Sequence, residues 1–269
     1  MSGNASGIGI FDSGAGGLTV ARQIMRRLPN ERIVYFGDSK RAPYGDKPID
    51  VLKQYCTEIT AFLTSKDIKV LVIGCGTVSA NFYEDVCEMV NVPVFEMILP
   101  AVAACDSVKR VGVIATAAAI NSGAHSRALA NAYPDIDVFT KVCPLFVPLV
   151  EEGWIDDEIS DLAAKKYLES FARHNLDGLI LGCTHYPMLA NSITKAMGDG
   201  VKLIDPAAQL AQSLANYLQT NELDNQSTVA PRHEFYVSAN PHRFQDIAML
   251  AMGEEIDVGI VDISNRCVH

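Results

Sequence analysis

Short runs of β-branched residues alternate with longer segments of helical period along most of the chain. This alternation is typical of β-α units built around a mostly parallel sheet. Several of the runs are apolar throughout, as expected for strands that helices cover on both faces. The predicted strands are 8–12, 33–37, 70–75, 94–97, 111–115, 138–142, 179–182, 203–205, 235–238 and 258–263.

The segments between these strands have the period and the end signals of helices. Asn240 and Pro241 mark the start of a further helix between the last two strands, because proline is favoured in the first turn. Residues 221–231 form a polar loop. The other predicted helices cover about 17–28, 49–65, 80–90, 100–106, 120–132, 157–174, 187–197 and 206–220.

Length and composition narrow the class of protein. A chain of 269 residues can build one large or two modest α/β domains, and 49% hydrophobic residues favour a globular protein over a disordered one. The net charge of −10, with 22 scattered basic residues, argues against a nucleic-acid surface. No secretory leader or membrane-length apolar run is present, which predicts a cytoplasmic protein with no membrane partner. Seven cysteines without CxxC pairs argue against a disulfide framework.

Two segments of the chain resemble each other. Residues 70–77 and 178–184 each contain an apolar strand, then glycine, then a cysteine, then threonine within two residues. The cysteines are Cys75 and Cys183. Because the carboxyl ends of parallel strands form the ligand crevice, both thiols are expected there. A single cysteine is more often a buried structural residue, but two at matching strand ends favour chemistry.

Polar neighbours strengthen this hypothesis. His185 follows Cys183 by two residues, and an imidazole beside a thiol can share or take its proton. Asp12, at the end of a neighbouring strand, can act similarly on Cys75. A zinc site is a competing interpretation, but these residues lack compact ligand spacing and a fourth ligand, so no metal is predicted. A papain-like hydrolase would need one cysteine rather than two.

The glycine-rich turn at residues 11–17 lies between the first strand and the first helix. Its amide groups can cradle a phosphate or carboxylate, or the turn can be structural and capped by Asp12 or Ser13. The residues leave both alternatives open. A dinucleotide motif fails because Thr19 stands where its third glycine belongs, and a Walker lysine is absent.

Two further segments have weaker signals. Pro43, Tyr44 and Gly45 form a loop after the second strand, in which Tyr44 either borders the crevice or lies on the surface. Residues 148–154 place two carboxylates beside Trp154, and a solvated acidic turn is the default interpretation.

Five motifs, taken together, resemble those of the glutamate racemases. They occur in the order FDSGAGG at 11–17, APYG at 42–45, GCGTVSA at 74–80, LVEEGW at 149–154 and LGCTHYP at 181–187, and the similarity covers roughly the whole chain. This family lies within the aspartate/glutamate racemase superfamily, whose members work without pyridoxal phosphate, metal or nucleotide. The resemblance implies a cytoplasmic, cofactor-independent isomerase that interconverts L- and D-glutamate, supplies D-glutamate for peptidoglycan synthesis and forms a homodimer.

The same resemblance implies an α/β fold with two similar domains, each with a mostly parallel central sheet, and an active site in the cleft between them. Residues 1–97 plus 207–269 would form the domain that carries Asp12 and Cys75. Residues 98–206 would form the domain that carries Glu152, Cys183 and His185.

The resemblance also implies roles for individual residues. Cys75 would abstract the α-proton of D-glutamate and Cys183 that of L-glutamate, with the opposite thiol returning a proton. Asp12 would act on the Cys75 side, while Glu152 and His185 would assist Cys183. Spacing from the second cysteine favours Glu152 over its neighbour. The substrate pocket would be lined by Ser13, Pro43, Tyr44, Gly45, Gly76, Thr77, Thr116 and Thr184.

One position departs from the family pattern. Gly76 stands where asparagine is usual after the first cysteine, and that asparagine commonly contacts the substrate. The departure leaves open a racemase for aspartate or another acidic amino acid. A different class of function, a non-catalytic shell that binds an amino acid, is the remaining alternative.

Overall fold

The computed structural model describes residues 5–264, and within them ten strands form two entirely parallel sheets. The strands are β1 (Gly7–Asp12), β2 (Ile33–Gly37), β3 (Ile68–Ile73), β4 (Val94–Phe95), β5 (Arg110–Ala115), β6 (Asp137–Val142), β7 (Gly178–Leu181), β8 (Lys202–Ile204), β9 (Glu234–Val237) and β10 (Val258–Ile260). The first sheet has the order β10-β9-β2-β1-β3-β4, and the second has the order β6-β5-β7-β8.

Helices cover both faces of each sheet. They are α1 (Leu18–Arg27), α2 (Ile49–Thr64), α3 (Gly76–Met89), α4 (Ile98–Ala103), α5 (Ala117–Asn121), α6 (Ala124–Ala132), α7 (Phe146–Glu151), α8 (Glu158–Leu168), α9 (Ala190–Met197), α10 (Pro206–Thr220) and α11 (Pro241–Met252). Short 3-10 segments at Glu169–His174 and Tyr186–Leu189 continue the chain after α8 and before α9.

Each sheet has a hydrophobic core on both of its faces, and alternate residues of each strand contribute to the two cores. In β2, Ile33 and Tyr35 pack against α1, α10 and α11, whereas Val34 and Phe36 pack against α2 and α3. Successive side chains of a strand point to opposite faces, so a strand with a core on each side must be apolar at every position. The second sheet is built in the same way, with α4 to α6 on one face and α7 to α9 on the other.

All ten strand predictions are confirmed, each boundary lying within three residues of the predicted one. The sheets take their strands from 7–95 plus 234–260 and from 110–204. Helix α4 packs on the second sheet and α10 on the first. The predicted domains are 1–97 plus 207–269 and 98–206. The distribution of strands and helices is consistent with these boundaries, which stay a prediction.

Three helices differ from their predictions. Helix α3 begins at residue 76 rather than 80, because Cys75 is its extended N-cap and the first turn contains glycine and β-branched residues of low helix propensity. The predicted helix 120–132 is divided at Gly123, which has a φ of +68°. Helix α7 was not predicted, since it is short and contains Pro148, which the first turn tolerates. Within residues 5–264, every helix is too short or too polar to cross a membrane.

Candidate active site

A cavity of about 320 Å³ lies where the carboxyl ends of strands from both sheets face each other. The structure brings every residue that the sequence predicted for the site into its wall. The strand-end loops of the first sheet supply Asp12, Ser13, Pro43, Tyr44, Gly45, Cys75, Gly76 and Thr77, and the second sheet supplies Thr116, Glu152, Cys183, Thr184 and His185. Their individual roles stay predictions.

Cys75 follows β3 and is the N-cap of α3, with only 4% of its surface exposed. Burial raises the pKa of its thiol well above the usual value, and the charge of Asp12 raises it further. Hydrogen bonds from the Val78 amide and the Ser13 hydroxyl act in the opposite direction. The balance favours the protonated thiol at this position.

Asp12 is buried at the end of β1 and closes the glycine-rich turn. Its carboxylate accepts hydrogen bonds from the amides of Ser13, at 2.8 Å, and Gly17. Asp12 therefore caps the turn, and Ser13, Gly14 and Ala15 of the same turn line the cavity, so its role in binding an anion stays a prediction. The carboxylate also accepts a 3.2 Å hydrogen bond from the Thr184 hydroxyl, which comes from the other sheet.

Cys183 follows β7, and its thiol is the first of three groups in consecutive contact: a thiol, an imidazole and a carboxylate. Its Sγ lies 3.9 Å from Nδ1 of His185, and Nε2 of His185 lies 2.8 Å from Oε1 of Glu151. Burial alone would lower the pKa of His185, but the hydrogen bonds and negative charges of Cys183 and Glu151 raise it from 6.5 to about 10. The imidazole is therefore protonated at neutral pH, and an imidazolium beside a thiol stabilises its thiolate.

The carboxylate that contacts His185 is Glu151, and the prediction that Glu152 assists at Cys183 does not match this geometry. Glu151 ends α7 with a side chain 21% exposed, whereas Glu152 caps the helix and is 56% exposed. Consecutive helical residues point about 100° apart, so only one of the two side chains can face the imidazole. Glu152 lines the cavity mouth and pairs with Arg243 at 2.9 Å.

Arg243 is a site residue that sequence reasoning missed. It lies on α11, packed against the first sheet, and reaches across the cavity to α7 of the second. Its Nε is 3.4 Å from Oε2 of Glu151. Burial would raise the pKa of Glu151, but hydrogen bonds and charges from His185 and Arg243 lower it below its usual value. The predicted helix start at Pro241 was the only signal near it.

Hydroxyl groups complete the polar wall. Thr77 Oγ1 and Thr116 Oγ1 lie 2.9 Å apart and join the two halves of the site. Tyr44 is buried rather than on the surface, and its hydroxyl donates to the carboxylate of Asp38. Asp38 is fully buried, also pairs with Arg41 at 2.6 Å, and was not singled out from the sequence.

Among residues 5–264, no three His, Cys, Asp or Glu side chains are grouped as metal ligands.

Comparisons with known proteins give one consistent result. The family model described as Asp/Glu/Hydantoin racemase matches residues 16–214. The glutamate racemase of Geobacter metallireducens is 41% identical over 252 residues, which cover 93% of this chain and 93% of that protein.

Solved structures agree with this result. The glutamate racemase of Francisella tularensis in complex with D-glutamate is 39% identical, with a TM-score of 0.92 over 97% of this chain and 99% of that one. The Thermus thermophilus glutamate racemase in complex with β-chloro-D-alanine is 40% identical, with a TM-score of 0.87 over 96% and 97% of the two chains.

Proposed function

This chain belongs to the Asp/Glu/hydantoin racemase family, and from that premise we propose that it interconverts L- and D-glutamate without a cofactor. The observation that carries the proposal is the placement of two cysteines, Cys75 and Cys183, at corresponding strand ends of two sheets and in the wall of one cavity. The relatives reported above, among them one solved with D-glutamate, support glutamate as the substrate.

The reaction requires a base on one face of the α-carbon and an acid on the other. The α-proton of an amino acid is very weakly acidic, so a water-poor pocket with dense hydrogen bonding must stabilise the carbanion. A thiolate is easier to desolvate than a carboxylate, and a thiol and thiolate can exchange roles after each turnover. Cys75 and Cys183 supply such a pair, Cys75 serving D-glutamate and Cys183 serving L-glutamate.

The charges around the two thiols fit this division. His185, protonated between Glu151 and Cys183, stabilises the thiolate that removes the proton of L-glutamate. Cys75, whose pKa burial raises, is then the thiol that protonates the opposite face. In the reverse direction Cys75 must lose its proton first, and Asp12 is the carboxylate on that side.

The polar wall of the cavity holds the substrate in this proposal. The hydroxyl groups of Ser13, Thr77, Thr116 and Thr184 line the cavity and can donate to the substrate carboxylates. In the cell, a cytoplasmic homodimer would supply D-glutamate for peptidoglycan synthesis and the bacterial cell wall. This part of the proposal rests on the family resemblance.

A chiral assay in heavy water tests the proposal. Wild-type protein should convert each glutamate enantiomer into the other with deuterium at the α-carbon, while Cys75→Ser and Cys183→Ser should lose racemisation. Faster turnover of aspartate or another acidic amino acid would identify a different racemase. Binding of glutamate without any deuterium uptake would identify a non-catalytic binding shell.

A further inference from the structure

One carboxylate joins the two sides of the cavity mouth. Oε1 of Glu151 lies 2.8 Å from Nε2 of His185, and its Oε2 lies 3.4 Å from Nε of Arg243. The same guanidinium donates a 2.9 Å hydrogen bond to Glu152. Glu151 and His185 belong to elements around the second sheet, whereas Arg243 lies on α11, which packs against the first. Glu151 is therefore shared between one partner from each sheet.

Arg243 is held over the mouth by its own helix. Phe244 and Ile247 of α11 are buried in the core against the first sheet and also line the cavity. They fix the helix, and the side chain of Arg243 projects over the opening, about half-exposed. Within residues 5–264, it is the one lysine or arginine in the cavity wall. An arginine suits this place because its planar guanidinium can donate to two carboxylates at once.

The charges at the mouth oppose the preferences of their own helices. The amino end of a helix favours negative side chains, and the carboxyl end favours positive ones. Arg243 is in the first turn of α11, whereas Glu151 is the last residue of α7 and Glu152 is its C-cap. All three therefore lie at the less favourable end of their helix. Departures from local rules concentrate at functional sites, and these charges find their favourable partners only across the mouth.

Arg243 also acts on the charge of Glu151. Burial alone would raise the pKa of this carboxyl, whereas the hydrogen bonds and charges of His185 and Arg243 lower it. An ionised carboxylate is the partner that an imidazolium requires. With Oε2 held by the guanidinium, Oε1 stays directed at His185, whose other ring nitrogen faces Cys183. Arg243 is thus the far end of a row of four groups in contact that ends at a thiol.

We propose that Arg243 is a positioning residue for the thiol of Cys183: from the opposite side of the cavity, it holds Glu151 in contact with the imidazole beside that thiol. This inference rests on the proposed function. The base on the Cys183 side is then complete only where α11 and α7 meet at the mouth, and Cys75 has no part in this row. A role confined to guiding substrate or shaping the mouth would affect both thiols alike.

Elimination from the L and D forms of 3-chloroglutamate measures the two thiols separately. The thiolate takes the α-proton, the electron pair of the C–H bond forms the Cα–Cβ double bond, and chloride leaves with the C–Cl pair. The resulting enamine tautomerises and is hydrolysed by water to 2-oxoglutarate and ammonium, and 2-oxoglutarate is the product followed. In the proposed function, Cys183 acts on the L form and Cys75 on the D form.

Arg243→Gln should lower kcat/KM for elimination from the L form by about fivefold, the upper range for an ion pair at a surface, and from the D form by less than about twofold. The matched control is Arg26→Gln, which removes the same charge from an exposed position on α1 outside the cavity wall and should change neither rate. Equal losses from the two forms, a larger loss from the D form, or an unchanged rate from the L form would overturn the proposal.

Thermal unfolding checks that Arg243→Gln is folded, as expected for a half-exposed side chain. If it does not fold, Arg243→Met, which keeps most of the aliphatic stem, is measured in the same way and its two rates decide.

The test also separates this inference from the proposed function. A wild-type protein that moves no proton on glutamate and eliminates from neither form refutes the proposed function alone. Thiolate content is then compared as the ratio of the rates at which iodoacetamide alkylates Cys183 and Cys75 at neutral pH, because the thiolate is the reactive form. Peptide mass spectrometry measures both rates. The ratio should fall in Arg243→Gln and stay constant in Arg26→Gln, and a constant or higher ratio in Arg243→Gln overturns the proposal.

Discussion

Glu151 binds the imidazole of His185 through a 2.8 Å contact between its Oε1 and the ring Nε2. The other ring nitrogen faces Cys183 Sγ at 3.9 Å. With one nitrogen bonded to a carboxylate, the protonated ring is oriented towards the thiol. This arrangement makes Glu151 the positioning carboxylate on the Cys183 side and leaves Glu152 at the rim, paired with Arg243.

The first prediction separates the two glutamates. Glu151→Gln should lower kcat by about 10²-fold, because the imidazolium loses its carboxylate partner and an acid-base group contributes roughly 10²- to 10⁴-fold. Glu152→Gln, the matched control on the next residue, should change kcat by less than about threefold, since it removes only a solvent-exposed ion pair. Steady-state kinetics in both directions measure this. Equal losses in the two variants would contradict the assignment of Glu151.

The second prediction concerns stability as a function of pH. The pKa of His185 is raised from 6.5 to about 10, so the stability that it contributes is complete below pH 6.5 and is lost as the pH rises towards 10. The wild-type free energy of unfolding should fall relative to that of His185→Gln across this window, by at most about 1.4 kcal/mol per pH unit.

Denaturant unfolding at several pH values measures this difference. A second pair of proteins carries Cys183→Ser, in which the contribution of Cys183 to the pKa of His185 is absent and the contact with Glu151 remains, so the fall should end at a lower pH than in the first pair. A difference that stays constant between pH 6.5 and 10 would show that His185 is not held in its charged form.

Sequence patterns located the strands and both cysteines because their signals are local. An apolar run followed by glycine and cysteine marks a strand end wherever it occurs, so Cys75 and Cys183 were correctly expected at one crevice. Which of Glu151 and Glu152 faces His185 depends on how α7 is rotated about its own axis. This helix is too short for its pattern of apolar residues to predict that rotation. Arg243 reaches the site only through tertiary packing.

Gly76 illustrates the same limit. In the sequence, Gly76 replaces the asparagine that is usual in the family. The loss of that side chain suggested that this protein contacts its substrate differently. The structure shows that its neighbour is the carbonyl oxygen of Gly182, more than a hundred residues along the chain. No local pattern encodes that distance.

The third prediction concerns Asp12, whose carboxylate accepts from two backbone amides and from Thr184. Asp12→Asn replaces one acceptor oxygen by an NH₂ donor, which leaves a buried donor unsatisfied at a cost of about 1–3 kcal/mol. Both the melting temperature and kcat should fall, kcat more than substrate affinity. Asp157→Asn is the control, because asparagine caps a helix such as α8 as well as aspartate does. A change confined to KM would mean that Asp12 holds substrate and does not act on Cys75.

The last prediction concerns the division of work between the thiols. A substrate with a leaving group on the β-carbon needs only removal of the α-proton, because the electron pair forms the Cα–Cβ double bond and the leaving group departs with its own pair. One intact thiol is sufficient for this elimination, although racemisation needs two.

Cys75→Ser should therefore retain elimination from the L enantiomer, which Cys183 addresses, and Cys183→Ser should retain elimination from the D enantiomer. Racemisation of glutamate should collapse in both variants. Product formation from each pure enantiomer, followed with wild type and the two variants, measures the preference. In the opposed arrangement, each base reaches only the face of the α-carbon that lies towards its own sheet. Two outcomes would therefore rule this arrangement out: both variants eliminate from the same enantiomer, or either variant racemises glutamate at the wild-type rate.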